Sequence, residues 1–399
     1  MDTIAKIKSL AREYFEDVVF HRRHFHASPE LSLQEQKTAA YIVAQLKEMG
    51  IPYQEGIAGT GLVATITGSK GPGGVVALRA DMDALPIQEE NRVEYKSAHP
   101  GVMHACGHDV HMASLLGTAR ILQAMRGEWG GTVRLFFQPS EEKAPGGANL
   151  MIGEGVLKDP VPSAIFGQHV FPGLPAGKVG VKSGKYMASA DEVYITVKGK
   201  GGHAATPHLV IDPIVIASHI VVALQTIVSR NARPPVPTVL SFGRFVGLGH
   251  TNIIPDEVKL EGTFRTFDEE WREKALRRIR ETAVFIAQGM GGDCEVYVEK
   301  GYPFLVNDEQ LTGSFRKLAG EYLGPGNVEE LDLAMTSEDF SFFSQHLPAV
   351  FYRLGIRNVE KGFTSNLHTP TFDVDEQALE TGMGLMAYIA LSRLSGSDK

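Results

Sequence analysis

The nine residues from Met103 to His111, MHACGHDVH, bring together a thiol (Cys106), three imidazoles (His104, His108, His111) and a carboxylate (Asp109). These are the donor types that divalent transition metals prefer, and Cys106 and His108, two apart on an extended segment, can point into one pocket. Nine residues cannot enclose a metal alone. The remaining ligands must arrive from distant segments, and three places offer them: Glu141 with Glu142, His169, and His368.

Glu141 and Glu142 follow an apolar strand, VRLFFQPS. Adjacent carboxylates on a loop point different ways, so one can bind metal while the other faces a bound water. Taken singly, such a pair reads equally as a solvated turn. His169 closes an apolar run (Ala164, Ile165, Phe166) and His368 lies in a loop, NLHTP, before the last helix; each alone also reads as a hydrogen-bonded structural residue. His21, His24, His26, His99, His208, His219, His250 and His346 are read as structural or surface groups, with His104 and His111 undecided. Five ligands suit two metals, because a single structural zinc is satisfied by four. Two ions about 3.5–4 Å apart would activate a water near neutral pH.

The elements that must position these groups follow from the hydrophobic pattern. Helical spacing marks residues 3–27 and 38–49, with Gly50 as a stop. Short apolar runs at 62–67, 75–79, 133–138 and 165–170 then alternate with a helix from about 109 to 125, which predicts a mainly parallel sheet with helices on both faces. From residue 185 the rhythm changes to strands near 192–198, 238–245 and 258–267 with helices near 213–228 and 269–288, an α+β pattern. After residue 298 the first pattern resumes, with a helix at 309–322, a buried strand at 349–354 and a closing helix from 375. The expected organisation is therefore a catalytic domain in two parts, 1–184 and 298–399, with an inserted α+β domain over 185–297. In such sheets ligands bind beyond the carboxyl ends of the strands, where RADMD, FFQPSEE and FGQHV place their polar residues.

The chain has 399 residues, 43% of them hydrophobic, and a net charge of -8, which offers no basic stripe for nucleic acid. Glycine, at 43 residues, exceeds its usual share of about 7% and gathers at strand ends. The amino terminus lacks the pattern of a secretory signal, and the longest apolar stretch, Ile214 to Leu224, is too short to span a bilayer. No membrane partner is expected. With two cysteines, one claimed by the metal motif, a reducing, cytoplasmic location is expected.

The ordered motifs HRRHFHASPELSLQE, GTGLVATI, ALRADMDALPI, MHACGHDVHMASLLGTA, FFQPSEE, FGQHV, GKGGHAATPH, NIIPDEVKLEGTFR, SEDFSFF and NLHTP run the length of the chain. Together they resemble the amidohydrolase branch of the aminoacylase and carboxypeptidase metallohydrolases, which includes hippurate hydrolases and hydrolases of auxin conjugates. The resemblance implies Cys106, His108, Glu142, His169 and His368 as ligands of two divalent metals (manganese, zinc or cobalt), with Glu141 as general base. It implies an inserted lid that mediates homodimerisation, with His203 helping to hold the oxyanion, and Asn252 and Arg265 binding the carboxylate of a small-molecule substrate. One departure stands out: the peptidase relatives carry His-x-Asp where this chain has Asp81-Met82-Asp83. Asp83 is accordingly expected to orient a ligand rather than bind metal.

The expected reaction is attack of water on the amide of an N-acyl amino acid, with Glu141 taking the water's proton and handing it to the leaving amine. Three other readings compete. A metallo-carboxypeptidase or dipeptidase would use the same centre on short peptides. A hydrolase with Cys106 as nucleophile and His108 or His111 as base explains the thiol. A non-catalytic metal-binding protein explains the histidines but leaves adjacent Glu141 and Glu142 without a purpose.

Overall fold

A computed structural model describes residues 2–396. The chain divides into two compact units. One comprises the chain up to Tyr186, Val306–Leu333 and everything from Asp339 onward; the other comprises Met187–Leu305 and Ala334–Glu338. A boundary at 297 would cut the strand Asp293–Lys300, which pairs along its whole length with Asp191–Lys198, so the second unit runs on to Leu305. It also takes in residues 334–338, in a stretch where no apolar periodicity marks a change of domain.

The first unit is built on an eight-stranded sheet. At its centre lie four mutually parallel strands, β1 (Val75–Asp81), β2 (Thr132–Gln138), β3 (Ala164–Pro175) and β4 (Ala349–Arg357), in the spatial order β2, β1, β3, β4. β1 and β2 are buried along nearly their whole length, as continuous apolar runs covered on both faces must be. Gly61–Thr67 and Tyr53–Ile57 extend the β2 side antiparallel. Val179–Val181 and Val328–Glu330 extend the other side. The register aligns the carboxyl ends: Arg79 pairs with both Phe136 and Gly167, so Asp81, Gln138 and His169 stand level along one edge.

Helix α1 (Phe15–Ala27) is separated from Thr3–Glu13 by Tyr14, so the expected single helix over 3–27 is two. Helix α2 (His108–Ala124) has almost no polar face because it is enclosed by protein from His108 to Ala119. It packs on α3 (Ala378–Ser395), close enough at Gly117 that a Cβ there would come within 2.7 Å of the Met383 sulfur. Its first residue is a predicted ligand, so its burial fixes where His108 can point.

The second unit carries a four-stranded antiparallel sheet in the order Thr238–Val246, Glu257–Thr266, Asp191–Lys198, Asp293–Lys300. Helices Pro213–Thr226 and Glu269–Gly289 pack on it. A π-helical turn continues the first of these to Asn231, making a 19-residue apolar helix, longer than the 214–224 run alone. Ile216, Ala217, Ile220 and Leu224 on one side of it join this unit's core, while Val215 and Val222 are exposed. A buried ion pair, Arg272 to Asp191 at 2.7 and 2.8 Å, ties its second helix to the sheet.

Candidate metal centre

Cys106, His108, Glu141, Glu142, His169 and His368 converge in the first unit, although their sequence positions span 262 residues. Cys106 and His108 flank Gly107, whose φ of +83° turns the chain into α2. A Cβ at Gly107 would lie 2.4 Å from Val170 Cγ2 in β3, so only glycine lets the thiol loop approach the strand carrying His169. Gly107→Ala is therefore expected to destabilise the protein by about 2–4 kcal/mol, from left-handed strain plus overlap. A thermal or denaturant melt at wild-type stability would show that the loop relaxes freely.

Three histidine rings are aimed by what their other nitrogen does. His108 Nδ1 donates to the Asp83 carbonyl at 2.8 Å, and His169 Nδ1 to the Val170 carbonyl at 2.7 Å, leaving Nε2 of each free to coordinate. His111 differs. Its Nδ1 contacts Asp81 Oδ1 at 2.5 Å and its Nε2 accepts the Val170 N–H at 2.9 Å, so both nitrogens are occupied. Asp81, His108 and His111 lie close enough to count as a donor group. Those two bonds nevertheless make His111 a brace between β1 and β3 rather than a ligand.

Other donors fall into groups whose atoms lie within 4.8 Å of one another: Cys106 with His108 and His169, Cys106 with Glu142 and His368, and His108 with Glu141 and Glu142. Cys106 Sγ is 3.4 Å from His169 Nε2 and 3.3 Å from His368 Nε2; Glu142 Oε1 is 3.4 Å from His368 Nε2 and 3.9 Å from His108 Nε2. Bonds of about 2.0–2.3 Å at tetrahedral angles hold donors roughly 3.3–3.8 Å apart, so these edges fit a divalent transition metal. His108 Nε2 and Glu142 Oε1 are buried without a hydrogen-bond partner among the described residues, a cost that coordination would remove.

Charge around the cluster points the same way. Burial pushes the Cys106 thiol well above its usual range, and Glu142, Glu141 and Asp81 add to the shift. Burial opposes protonation of His108, but Asp81, Asp83 and Glu142 outweigh it and push its pKa up to about 10. Burial, reinforced by Arg353, holds His169 far below the usual imidazole range. The carboxylates thus attract positive charge to a place where burial discourages protonation.

Asp83 holds the backbone of the glutamate pair. Its two oxygens accept the backbone N–H groups of Glu141 and Glu142, each at 3.0 Å, and Ser32 Oγ donates to it at 2.6 Å. Ser140, just before the pair, has φ of +51°, and its N–H donates to buried Glu35 at 2.9 Å. His368 has φ of +59° and is tied by its N–H to the Ala105 carbonyl. Non-glycine residues held at positive φ are typical of sites where surrounding bonds over-determine the backbone. Glu141 is 6% exposed, and its Oε1 accepts the Asp339 N–H at 3.4 Å.

Asp81 and Asp339 are the groups that sequence reading left without a role. Arg79 donates to Asp81 at 2.7 Å and to Asp339 at 2.8 Å, and Gln138 donates to both Asp339 oxygens. This buried chain connects His111 at one end to Glu141 at the other. Burial alone would raise the Asp81 carboxyl, but Arg79, then His108 and His111, hold it well below the carboxylate range. The RADMD and SEDF motifs were the available signal, an arginine and acids that a buried strand end tolerates only when paired.

His203, Asn252 and Arg265 all lie in the second unit. His203 is exposed on a two-residue strand with Ile253–Ile254, and its Nδ1 accepts the Ala205 N–H at 3.1 Å, which leaves Nε2–H as a donor. Asn252 is exposed, and its backbone carbonyl holds the Ala204 N–H. Arg265, on Glu257–Thr266, is partly buried with Nη1 lacking a hydrogen-bond partner among the described residues.

The chain is similar to known proteins over most of its length. The profile of the peptidase family M20/M25/M40 matches residues 77–392. An N-acyl-L-amino acid amidohydrolase of Geobacillus stearothermophilus is 44% identical over 308 residues, covering 77% of this chain and 82% of its own. The Arabidopsis thaliana protein named IAA-amino acid hydrolase ILR1-like 4 is 40% identical over 97% of this chain and 88% of its own. The Bacillus subtilis YXEP protein, described as a dinuclear metal binding peptidase, superposes with a TM-score of 0.80 at 37% identity, covering 96% of this chain and 99% of that one. With a donor cluster of metal-binding geometry at the carboxyl edge of its sheet and this similarity from end to end, the chain belongs to the peptidase family M20/M25/M40 and is a hydrolase of C–N bonds.

Proposed function

We propose that this protein is a two-metal amidohydrolase that splits N-acyl amino acids into a carboxylate and a free amino acid. The observation that carries this is the division of the Glu141–Glu142 pair. One aspartate, Asp83, holds both backbones, yet Glu142 turns an unpartnered oxygen toward His108 and His368 while Glu141 stands beside them. Cys106, His108, Glu142, His169 and His368 would hold the ions. Bound ions would polarise the amide carbonyl and lower the pKa of the attacking water. Manganese, zinc and cobalt all suit this mixed donor set.

Glu141 takes the proton of the attacking water and delivers it to the leaving nitrogen; its burial keeps bulk water from competing for that proton. His203, with Nε2–H outward, supplies a hydrogen bond to the oxygen that gains charge. Asn252 and Arg265, whose Nη1 has no hydrogen-bond partner among the described residues, receive the substrate's carboxylate. A homodimer through the second unit is supported by its edge strand Thr238–Val246 and by exposed Val222, Phe245 and Leu248. Both cysteines are unpaired, in keeping with a reducing, cytoplasmic setting.

Hydrolysis of a panel of N-acetyl and N-benzoyl amino acids, their amides and methyl esters, and dipeptides tests the proposal. N-acyl amino acids should be the preferred class, and exclusive cleavage of dipeptides would replace this reading with a peptidase. In the same panel, Arg265→Ala is expected to raise KM for the free acids by roughly 10- to 100-fold, the value of a charge-assisted bidentate contact. The esters should be little affected. Equal effects on acid and ester would remove Arg265 from carboxylate binding.

A further inference from the structure

The HRRHFHASPE motif has no part in the mechanism above, yet it sends a fully buried guanidinium behind the metal ligands. Arg22, on α1, donates from Nε to Asp109 Oδ2 at 2.8 Å and from Nη2 to Asp373 Oδ1 at 2.7 Å. Asp109 is the residue after His108, in the first turn of α2. Asp373 lies five residues beyond His368, on the segment that returns from that ligand to α3.

Other bonds converge on the same two points. His26 Nδ1 contacts Asp109 Oδ2 at 2.8 Å, and its Nε2 contacts Glu89 Oε1 at 3.2 Å. Tyr95 donates to the second oxygen of Asp373 at 2.8 Å while its ring lies 4.8 Å from the Arg22 guanidinium carbon. Glu90 N–H and the Asn91 amide donate to the carbonyls of Pro370 and Phe372. The loop 89–95 and α1 therefore grip the His368 segment from one side and the start of α2 from the other.

A buried ion pair adds little net stability over a well-packed apolar substitute. What a guanidinium does supply is a rigid fork that sets two carboxylates at a fixed spacing and direction. We propose that Arg22 is a positioning residue of the metal centre: by bridging Asp109 to Asp373 it fixes the separation between the segments that carry His108 and His368. The proposal rests on the reading that these two histidines coordinate metal. His368 needs such support because, like Cys106 and Glu142, it lies outside any strand or helix, and its side chain is exposed on a backbone held at positive φ.

The test is metal binding by full-length Arg22→Lys and Asp373→Asn, with Arg23→Ala as control. Arg22→Lys keeps the charge and loses the fork; Asp373→Asn keeps the size and loses the charge, so at least one is expected to fold. Arg23 bonds the more exposed Glu376 and lies over the Tyr95 ring, and has no hydrogen bond to Asp109 or Asp373. After circular dichroism confirms folding, zinc affinity is measured by chelator competition and the cobalt-loaded proteins by visible absorption. One metal equivalent should bind roughly 10- to 100-fold more weakly in both variants, with an altered cobalt spectrum, while Arg23→Ala matches wild type. Folded variants that bind both equivalents with wild-type affinity and spectrum overturn the positioning role. A wild-type protein that binds no metal overturns the reading beneath it instead.

Discussion

Replacing Glu141 with Gln should reduce kcat by roughly 10²- to 10⁴-fold, the usual contribution of a general base, while leaving metal content unchanged. The substitution keeps size and backbone, so the Asp83 bond to the 141 N–H survives, and Oε1 can still accept the Asp339 N–H. It removes only the ability to take a proton. Glu142→Gln should behave differently, because that side chain faces His108 and His368: activity and metal affinity should fall together. Metal analysis beside steady-state kinetics separates the two. Loss of metal in Glu141→Gln, or full activity in it, would exchange or erase the assigned roles.

Stripping the enzyme with a chelator is expected to abolish hydrolysis, and manganese, zinc or cobalt to restore it. The alternative of a nucleophilic Cys106 requires a thiol of lowered pKa. Here burial and three neighbouring carboxylates raise it instead, and only a bound cation would bring out the thiolate. Metal loading must displace protons from the thiol and from His108, whose pKa stands near 10 in the metal-free protein. The sign follows directly: below those pKa values each proton released favours metal binding as pH rises, so affinity should climb between about pH 6 and 8. Activity that ignored chelators but fell to a thiol alkylating reagent would instead establish Cys106 as the nucleophile.

Much of the centre was legible in the sequence because its ligands are chemically conspicuous: Cys106 beside His108, adjacent glutamates after an apolar strand, and polar residues at strand ends. The central parallel strands were legible for a related reason, since burial on both faces demands continuous apolar runs. Tyr53–Ile57 was missed because an edge strand exposing Gln54, Glu55 and Gly56 carries no apolar signal. Asp81, His111, Asp339 and Arg22 were present in recognisable motifs, but their work is done through partners up to 351 residues away, and pairing at that range leaves no local pattern. The break at Tyr14 was hidden by apolar periodicity that continues unchanged across it.

The spread of the ligands along the chain sets an order of assembly. Cys106, His108, Glu142 and His169 emerge from the ribosome before any of the second unit, so four of the five proposed ligands are made while some two hundred residues remain. His368 arrives only after the entire second unit has been synthesised between it and the rest. In the proposed site His368 is thus the last ligand made, shortly before the carboxyl-terminal helix Ala378–Ser395 that packs on α2.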